Sequence, residues 1–156
     1  MRGRTAGLVG AAAAVILSLS ACQAPMPIGV AKDGDRVTIL VGRQCRDTSP
    51  SLSRVRVYNY DRARHTVVEP PLWEIEAAQP RPVHRLELGT VPDGFTVTSD
   101  NIAPQGVGAT IDLQVWLGKE FFGTLFDLAD ARAGKVLDDG GNLITEADFD
   151  KQFGCG

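Results

Sequence analysis

The sequence predicts a mainly β protein, an antiparallel β-sandwich of immunoglobulin-like architecture that ends in a short C-terminal helix. Short segments rich in β-branched and aromatic residues recur along the chain, and clusters of turn-forming residues separate them. Only the last segment, from residue 145, changes to the spacing of a helix. This order of signals is typical of two packed antiparallel sheets.

The predicted strands begin at residue 36 and alternate apolar with polar positions, as expected where one face of a sheet is buried. In RVRVYNY, Val55 and Val57 fall on one face, and Arg54 and Arg56 fall on the other. Trp73 belongs to the buried phase of a similar run, LWEIEA. The predicted strands are 36–42, 54–60, 72–77, 83–89, 95–99, 109–118 and 120–128.

Clusters of Pro, Gly, Asp and Ser lie between these runs and predict turns. They occupy residues 47–50, 70–71, 79–82, 92–94 and 103–106. A true immunoglobulin domain places a Trp about a dozen residues after its first Cys. Here Trp73 follows Cys45 by 28 residues. The prediction is therefore the sandwich architecture without that family's disulfide pin.

The tail TEADFDKQF predicts a closing helix over residues 145–153. Thr145 is a good N-cap, and Asp148 three residues later forms a weakened capping box. Phe149 and Phe153 are four residues apart and share one helix face. Such a helix would bring Cys155 back toward the rest of the domain.

The N-terminus has the layout of an export signal. Arg2 and Arg4 precede residues 7–21, which carry no charge. This run is shorter than the roughly 20 residues that a membrane-spanning helix needs, and it is largely Ala and Gly. These features favour a cleaved signal over a retained membrane anchor.

The end of that run, Leu19-Ser20-Ala21-Cys22, resembles the bacterial lipobox. The resemblance implies that diacylglycerol alkylates Cys22 and that residues 1–21 are removed as a lipoprotein signal peptide. Two or more acyl chains, such as palmitate, would then anchor the protein with about 0.8 kcal/mol per buried CH₂. The alternative is an ordinary secretory signal that contains a Cys and is cut slightly later.

Removing 21 of the 156 residues leaves a mature chain of 135, a length that suits one domain. Residues 22–35 predict a lipidated tether, and residues 36–156 predict a single β-sandwich domain. Without Arg2 and Arg4, 14 of the 16 basic residues remain against 19 acidic ones, a formal charge of −5. An acidic chain of this kind gives no electrostatic reason to bind nucleic acid.

With Cys22 lipidated, Cys45 and Cys155 remain. An exported protein meets an oxidising environment, so this pair predicts a disulfide. The bridge would close a loop of about 110 residues and stabilise the fold by about 4–5 kcal/mol in the chain-entropy model. The alternative is two separate buried thiols.

Several segments resemble parts of known sites, but none of them is complete. Residues 138–149 match the second half of a calcium-binding loop without its first carboxylate or its final Glu. Ser-Asp-Asn at 99–101 lacks the other motifs of penicillin-recognising serine enzymes. His65 and His84 have no partner at metal-ligand spacing, so we expect both to be solvated. No metal or cofactor is predicted.

Two other features bear on binding. The segment YDRARH at 60–65 places three cations on a predicted hairpin loop beside Tyr58 and Tyr60, which is either a solvated turn or a recognition loop. Trp73 and Trp116 both lie in predicted strands. Core packing is the expectation for both, and an exposed aromatic binding face is the alternative.

From VTILVG through WEIEA and VPDGF to FDLADARAGKVL and FGCG, the body is similar to uncharacterised actinobacterial envelope lipoproteins, a resemblance that implies no activity. We expect a non-enzymatic, lipid-anchored binding or scaffolding module on the extracytoplasmic face of the cell membrane. Its expected partners are the membrane, lipoprotein-processing enzymes and an envelope protein that the sequence does not identify.

The alternatives are a small-ligand-binding lipoprotein and a cell-wall polymer hydrolase that uses late carboxylates, with or without His84. A paired-carboxylate mechanism would draw on the acids in the last third of the chain, which are otherwise simply a soluble surface. These acids are Asp127, Asp130, Asp138, Asp139, Glu146, Asp148 and Asp150.

Overall fold

The computed structural model describes residues 26–42 and 51–153, which form two antiparallel sheets packed face to face. The first sheet consists of β1 (Ile28–Asp33), β2 (Arg36–Val41), β5 (Arg85–Glu87), β9 (Val136–Asp138) and β10 (Leu143–Ile144). The second sheet consists of β3 (Ser51–Asp61), β4 (Thr66–Pro82), β6 (Phe95–Asp100), β7 (Thr110–Leu117) and β8 (Glu120–Asp127). The helices are α1 (Ile102–Gln105) and α2 (Glu146–Phe153). The predicted sandwich with a short C-terminal helix is confirmed.

Strand order explains how the layers are connected. The first sheet runs β10-β9-β1-β2-β5, and the second runs β6-β4-β3-β7-β8. Consecutive strands pair as hairpins in β1–β2, β3–β4, β7–β8 and β9–β10. Gly34 and Gly118 supply the left-handed backbone that the tight turns of the β1–β2 and β7–β8 hairpins need, with φ of 59° and 61°.

The core lies between the sheets and follows the period-two pattern of the strands. Val55, Val57, Trp73 and Ile75 project from the second sheet and are fully buried. Ile39 meets them from the first sheet. Each such side chain contributes about 1.5–3 kcal/mol through its removal from water.

The predicted start of the folded domain near Arg36 is wrong, because part of the tether 22–35 is β1. Ile28 and Val30 are fully buried in the core, and β1 pairs with both β2 and β9. The sequence of β1 lacks the usual alternation of apolar and polar residues, because its outward positions hold Gly29 and Ala31 instead of polar residues. Those small residues lie under α2.

Two predicted turns are also wrong, because residues 70–71 and 79–82 lie inside the long strand β4. Pro lacks a backbone N–H and is excluded from fully paired positions of a sheet. Here β6 pairs only with residues 73–77 of β4, so the prolines lie where pairing is absent or one-sided. The Glu69–Pro70 peptide bond is cis.

Other boundaries differ more modestly. The strand predicted at 83–89 is limited to β5, and the short elements β9, β10 and α1 were not predicted. The closing helix is confirmed as α2. The signal peptide, Cys22, Cys45 and Cys155 lie outside the described residues, so lipidation and the disulfide stay predictions.

Candidate functional site on the outer face of the second sheet

The outer face of the first sheet is covered by α2. Phe149 is fully buried there against Leu40 and Val136, and Phe153 packs beside it. A Cβ on Gly29 would lie 2.7 Å from Val136 Cγ1 and 2.9 Å from Phe149 Cε2. Glycine at this outward position therefore makes room for the helix.

Polar contacts hold the start of α2 in place. Asp148 N–H donates to Thr145 Oγ1 at 3.0 Å, and the Thr145 hydroxyl donates back to Asp148 Oδ2 at 2.7 Å. This hydroxyl is the main cause that lowers the pKa of Asp148, with Lys151 adding to it. Arg85 Nη1 donates to both oxygens of Glu146, at 2.8 and 2.9 Å. These contacts attach the first turn of α2 to its cap and to β5.

His84 belongs to this same attachment, so the prediction that it is solvated is wrong. Its Nδ1 lies 2.7 Å from the Val41 carbonyl oxygen, and its Nε2 lies 3.1 Å from Asp150 Oδ1. The contact with Asp150 is at ion-pair distance but lacks the alignment of a hydrogen bond. Asp150 Oδ1 is therefore a buried oxygen with no hydrogen-bond partner among residues 26–42 and 51–153. His65 is exposed at the β3–β4 turn, as predicted.

Across the sandwich, a network of four charged side chains occupies the centre of the second sheet's outer face. Arg56 Nη2 donates to Glu74 Oε1 at 2.7 Å, and Arg54 Nη2 lies 2.7 Å from Glu76 Oε1. Arg54 Nε is also 3.7 Å from Glu74 Oε1, so Glu74 is contacted by both arginines. Glu74 is only 8% exposed. The hydrogen bond to Glu74 is the main cause that raises the pKa of Arg56, against the opposing effect of burial.

Two aromatic rings extend this network toward the edge of the sheet. The guanidinium carbons of Arg54 and Arg56 lie 5.4 and 5.6 Å from the Trp116 ring centroid, at cation–π distance. The Phe121 ring is tilted against Trp116 with centroids 5.0 Å apart, and Phe121 is 56% exposed. We call the six residues Arg54, Arg56, Glu74, Glu76, Trp116 and Phe121 the arginine–aromatic face.

A second row of side chains lies beside this face. Tyr58 on β3 is opposite Asp112 on β7, which in turn is opposite Leu125 on β8. Burial raises the pKa of Asp112, and a hydrogen bond with Gln114 partly offsets that effect. Leu125 is 40% exposed, so the apolar surface continues along β8 from Phe121.

The two tryptophans differ in burial, although their strand-like surroundings predict core packing for both. Trp73 is fully buried, as expected, whereas Trp116 is half-buried on the outer face. The strand pattern contained the signal for this difference. In TIDLQVWL, Trp116 shares its phase with Asp112 and Gln114, while Ile111, Leu113 and Val115 share the inward phase.

The cationic loop of DRARH is tied back to the fold. Arg62 donates to Thr110 Oγ1 and to Asp127 Oδ2, both at 2.9 Å. Asp61 Oδ1 accepts the backbone N–H of Ala63 and of Arg64, at 2.9 and 3.1 Å. These contacts favour a structured turn over a recognition loop.

The incomplete motifs also have local structural contacts. Asp138 accepts hydrogen bonds from the backbone and side-chain nitrogens of Asn142, closing the turn after β9. In the Ser-Asp-Asn segment, Ser99 Oγ and Asn101 Nδ2 both donate to the Pro71 carbonyl, at 3.0 and 2.8 Å. In both segments these polar side chains are engaged in hydrogen bonds within the fold.

Most of the late acids are engaged in the same way. Asp127 contacts Arg62, Asp139 accepts the Met26 N–H at 3.1 Å, and Glu146, Asp148 and Asp150 attach α2. A shallow depression of about 230 Å³ lies beside α2, and Lys32, Arg85 and Lys135 contribute to its lining. It is an open surface feature with a largely charged wall.

No protein-family model, curated protein or solved structure matches this chain. Within the described ranges, no three His, Cys, Asp or Glu side chains converge in a way that could hold a metal ion. Among the helices of those ranges, none has the length and apolar character needed to span a bilayer.

Proposed function

We propose that the mature protein is a lipid-anchored, non-enzymatic binding module of the cell envelope, which contacts an envelope protein through its arginine–aromatic face. The observation that carries this proposal is the exposed Phe121 ring packed against Trp116, which two paired arginines also contact at cation–π distance. Residues of these types, Trp and Arg above all, dominate the binding free energy of protein interfaces.

The geometry of the face supports a binding role in a second way. Arg54 and Arg56 are already held by Glu74 and Glu76, so a partner would not have to order these long side chains. Ordering a rotamer-rich side chain at an interface costs about 0.5–1.5 kcal/mol. A face that is ordered in advance lowers that cost.

The cellular location of the module is part of the same proposal, and the support for it comes from the N-terminal sequence. Cys22 would carry the diacylglyceryl anchor, and a Cys45–Cys155 disulfide would tie the C-terminus to the segment that follows β2 in the sequence. In the structure β1 begins at Ile28, so at most five residues separate this strand from Cys22. The domain would therefore lie close to the membrane surface.

Cross-linking on intact cells tests the binding role, followed by detergent purification of the full-length protein and mass spectrometry of what remains bound. We expect one envelope protein in near-stoichiometric amount, and its recovery should fall at least about tenfold in Phe121→Ala. Leu143→Ala is the matched control, because Leu143 is also an exposed apolar residue, 40% exposed, but lies on β10 of the other sheet. Equal recovery from both variants would refute the face as the contact surface.

The anchor is tested separately by Cys22→Ser. This variant should leave the protein unprocessed or release it from membranes, because the acyl chains then have no attachment point. Fractionation of cells and intact mass of the product measure both effects. Membrane retention of a normally cleaved Cys22→Ser product would contradict lipidation.

A further inference from the structure

The four sheet edges of the described fold differ greatly in length. The first sheet ends in β5 and β10, which have three and two residues. The second sheet ends in β6 and β8, which have six and eight residues. Very short edge strands protect a sheet from pairing with other chains, whereas a long edge presents a row of unpaired backbone groups. The edge β8 is the longest of the four.

The register shows which backbone groups of β8 face outward. Leu128 N–H donates to the Ala109 carbonyl at 2.7 Å, one step beyond the Thr110–Asp127 pair. Because antiparallel hydrogen-bonded pairs alternate, the even-numbered residues of β8 bond to β7. Phe121, Gly123 and Leu125 therefore direct their N–H and C=O groups away from β7. Within the described residues, β8 pairs with no other strand.

The sequence of this edge lacks the usual protection. Residues 121–126, FFGTLF, contain no charge and no proline, and the chain has no bulge between β7 and β8. By contrast, β6 reads FTVTSD and is dominated by Thr and Ser with a terminal acid. An exposed apolar edge of this length is suited to strand addition.

We infer that a second copy of this chain pairs with β8 in antiparallel orientation about a two-fold axis at Gly123. The strand is self-complementary about that residue. Phe121 and Leu125, both exposed on the outer face, are equally distant from Gly123 on either side, so each meets the other residue of the second copy. Lys119 and Asp127 are also equally distant from it and carry opposite charges. An isologous dimer requires this kind of self-matching surface.

The pairing would join the two second sheets into one continuous sheet. Three facing pairs, centred on Gly123, would exchange about six backbone hydrogen bonds. Phe121 of each copy would be covered by Leu125 of the other, which removes two exposed apolar side chains per copy from water. The dimer and the envelope partner proposed above would both contact Phe121. The dimer is therefore tested at Gly123 and Leu125, which are not among the six residues of the arginine–aromatic face.

Disulfide trapping of the full-length chain tests the register directly. In Gly123→Cys the two new residues face each other with Cα atoms about 5.5 Å apart, within disulfide range. The added Cβ would meet only Phe121 Cζ closely, at 2.9 Å, which is the far end of a mobile ring. The matched control is Leu125→Cys, because Leu125 faces Phe121 and lies about 14 Å from its own copy.

On oxidation we expect a covalent dimer from Gly123→Cys that is at least about tenfold more abundant than from Leu125→Cys or the unaltered chain. Equal trapping in the two variants would overturn the register. The absence of any trapped dimer, together with the mass of a monomer by sedimentation in detergent at all concentrations, would overturn the dimer.

A second pair of variants tests the edge itself. Leu125→Pro removes an N–H that faces away from β7, so the β7–β8 ladder is kept, and Leu125→Ala keeps that N–H. By sedimentation, Leu125→Pro should raise the dimer dissociation constant at least about tenfold above that of Leu125→Ala. Unfolding curves establish that both variants fold. A folded Leu125→Pro that dimerises as tightly as Leu125→Ala would overturn the proposal.

Discussion

The two sheets of the sandwich present outer faces of opposite character. On the first sheet, Gly29 and Gly42 carry no side chains, and the phenylalanines of α2 pack in the space that this leaves. On the second sheet, the equivalent outward positions hold arginine, glutamate and tryptophan, and no helix covers them among the described residues.

The difference shows how side-chain size decides which face of a sheet becomes a second core. A Cβ at Gly42 would overlap the Phe153 ring, so even alanine is too large there. Cross-strand pairs such as Arg54–Glu76 instead project above the sheet and satisfy each other in contact with water. One outer face is therefore packed under a helix, while the other keeps an exposed aromatic ring among the described residues.

The largest expected effect is a loss of folding stability, and it distinguishes phenylalanines on the two outer faces. Phe149→Ala should lower the free energy of unfolding by about 3–5 kcal/mol, because it empties a fully buried site under α2. Phe121→Ala should change it by less than about 1 kcal/mol, because that ring is mostly exposed. Urea unfolding of both variants measures the difference. Similar losses in the two variants would mean that the second sheet's outer face is also covered.

A smaller effect is expected within the arginine–aromatic face. Glu74→Gln should cost about 1.5–3 kcal/mol, because it weakens charge-assisted bonds to two arginines at a buried position. Glu76→Gln is the matched control and should cost less than about 1 kcal/mol, because its side chain is 46% exposed and contacts only Arg54 in the network. If both variants lose the same amount, Glu74 is not the centre of the network.

The smallest effects are on the pH dependence of stability and have opposite signs on the two faces. Burial raises the pKa of Asp112 above its ordinary 3.8, so the folded state holds its proton more tightly than the unfolded state. The contribution of Asp112 to the free energy of unfolding therefore falls as the pH rises from 3.8 through the raised pKa. Asp112→Asn should therefore be more stable than the wild type at neutral pH, and that advantage should disappear below 3.8.

Asp148 shows the reverse behaviour at the start of α2. The Thr145 hydroxyl lowers the pKa of Asp148 below its ordinary 3.8. Its contribution is therefore complete above 3.8 and is lost as pH falls through the lowered value. Asp148→Asn should be less stable at neutral pH, with the difference closing in acid. Melting temperatures between pH 2 and pH 7 measure both variants, and shifts of the same sign would contradict this assignment.

Strand positions were predictable wherever polar and apolar residues alternate. The Arg54–Val57 segment indicated both the strand and its buried face. The predicted core packing of Trp116 is wrong, although its phase in TIDLQVWL with Asp112 and Gln114 is that of the outward positions. The pattern failed at β1, because Gly29 and Ala31 are outward residues that a helix covers. It also failed at His84, whose contacts with Val41 and Asp150 come from segments distant in the chain.

By itself, the sequence determined what depends on local order: the strand periods, the cap of α2, and the export and lipidation signals that stay predictions. Only the tertiary structure decided what depends on segments far apart in sequence. Trp116 and Phe121 become a surface with Arg54 and Arg56 because β3, β7 and β8 are neighbours in one sheet. The helix α2 finds the first sheet because two glycines more than 100 residues earlier leave space for its rings. A local pattern specifies a strand or helix and its apolar face. Which two faces pack against each other is decided by how the whole chain packs.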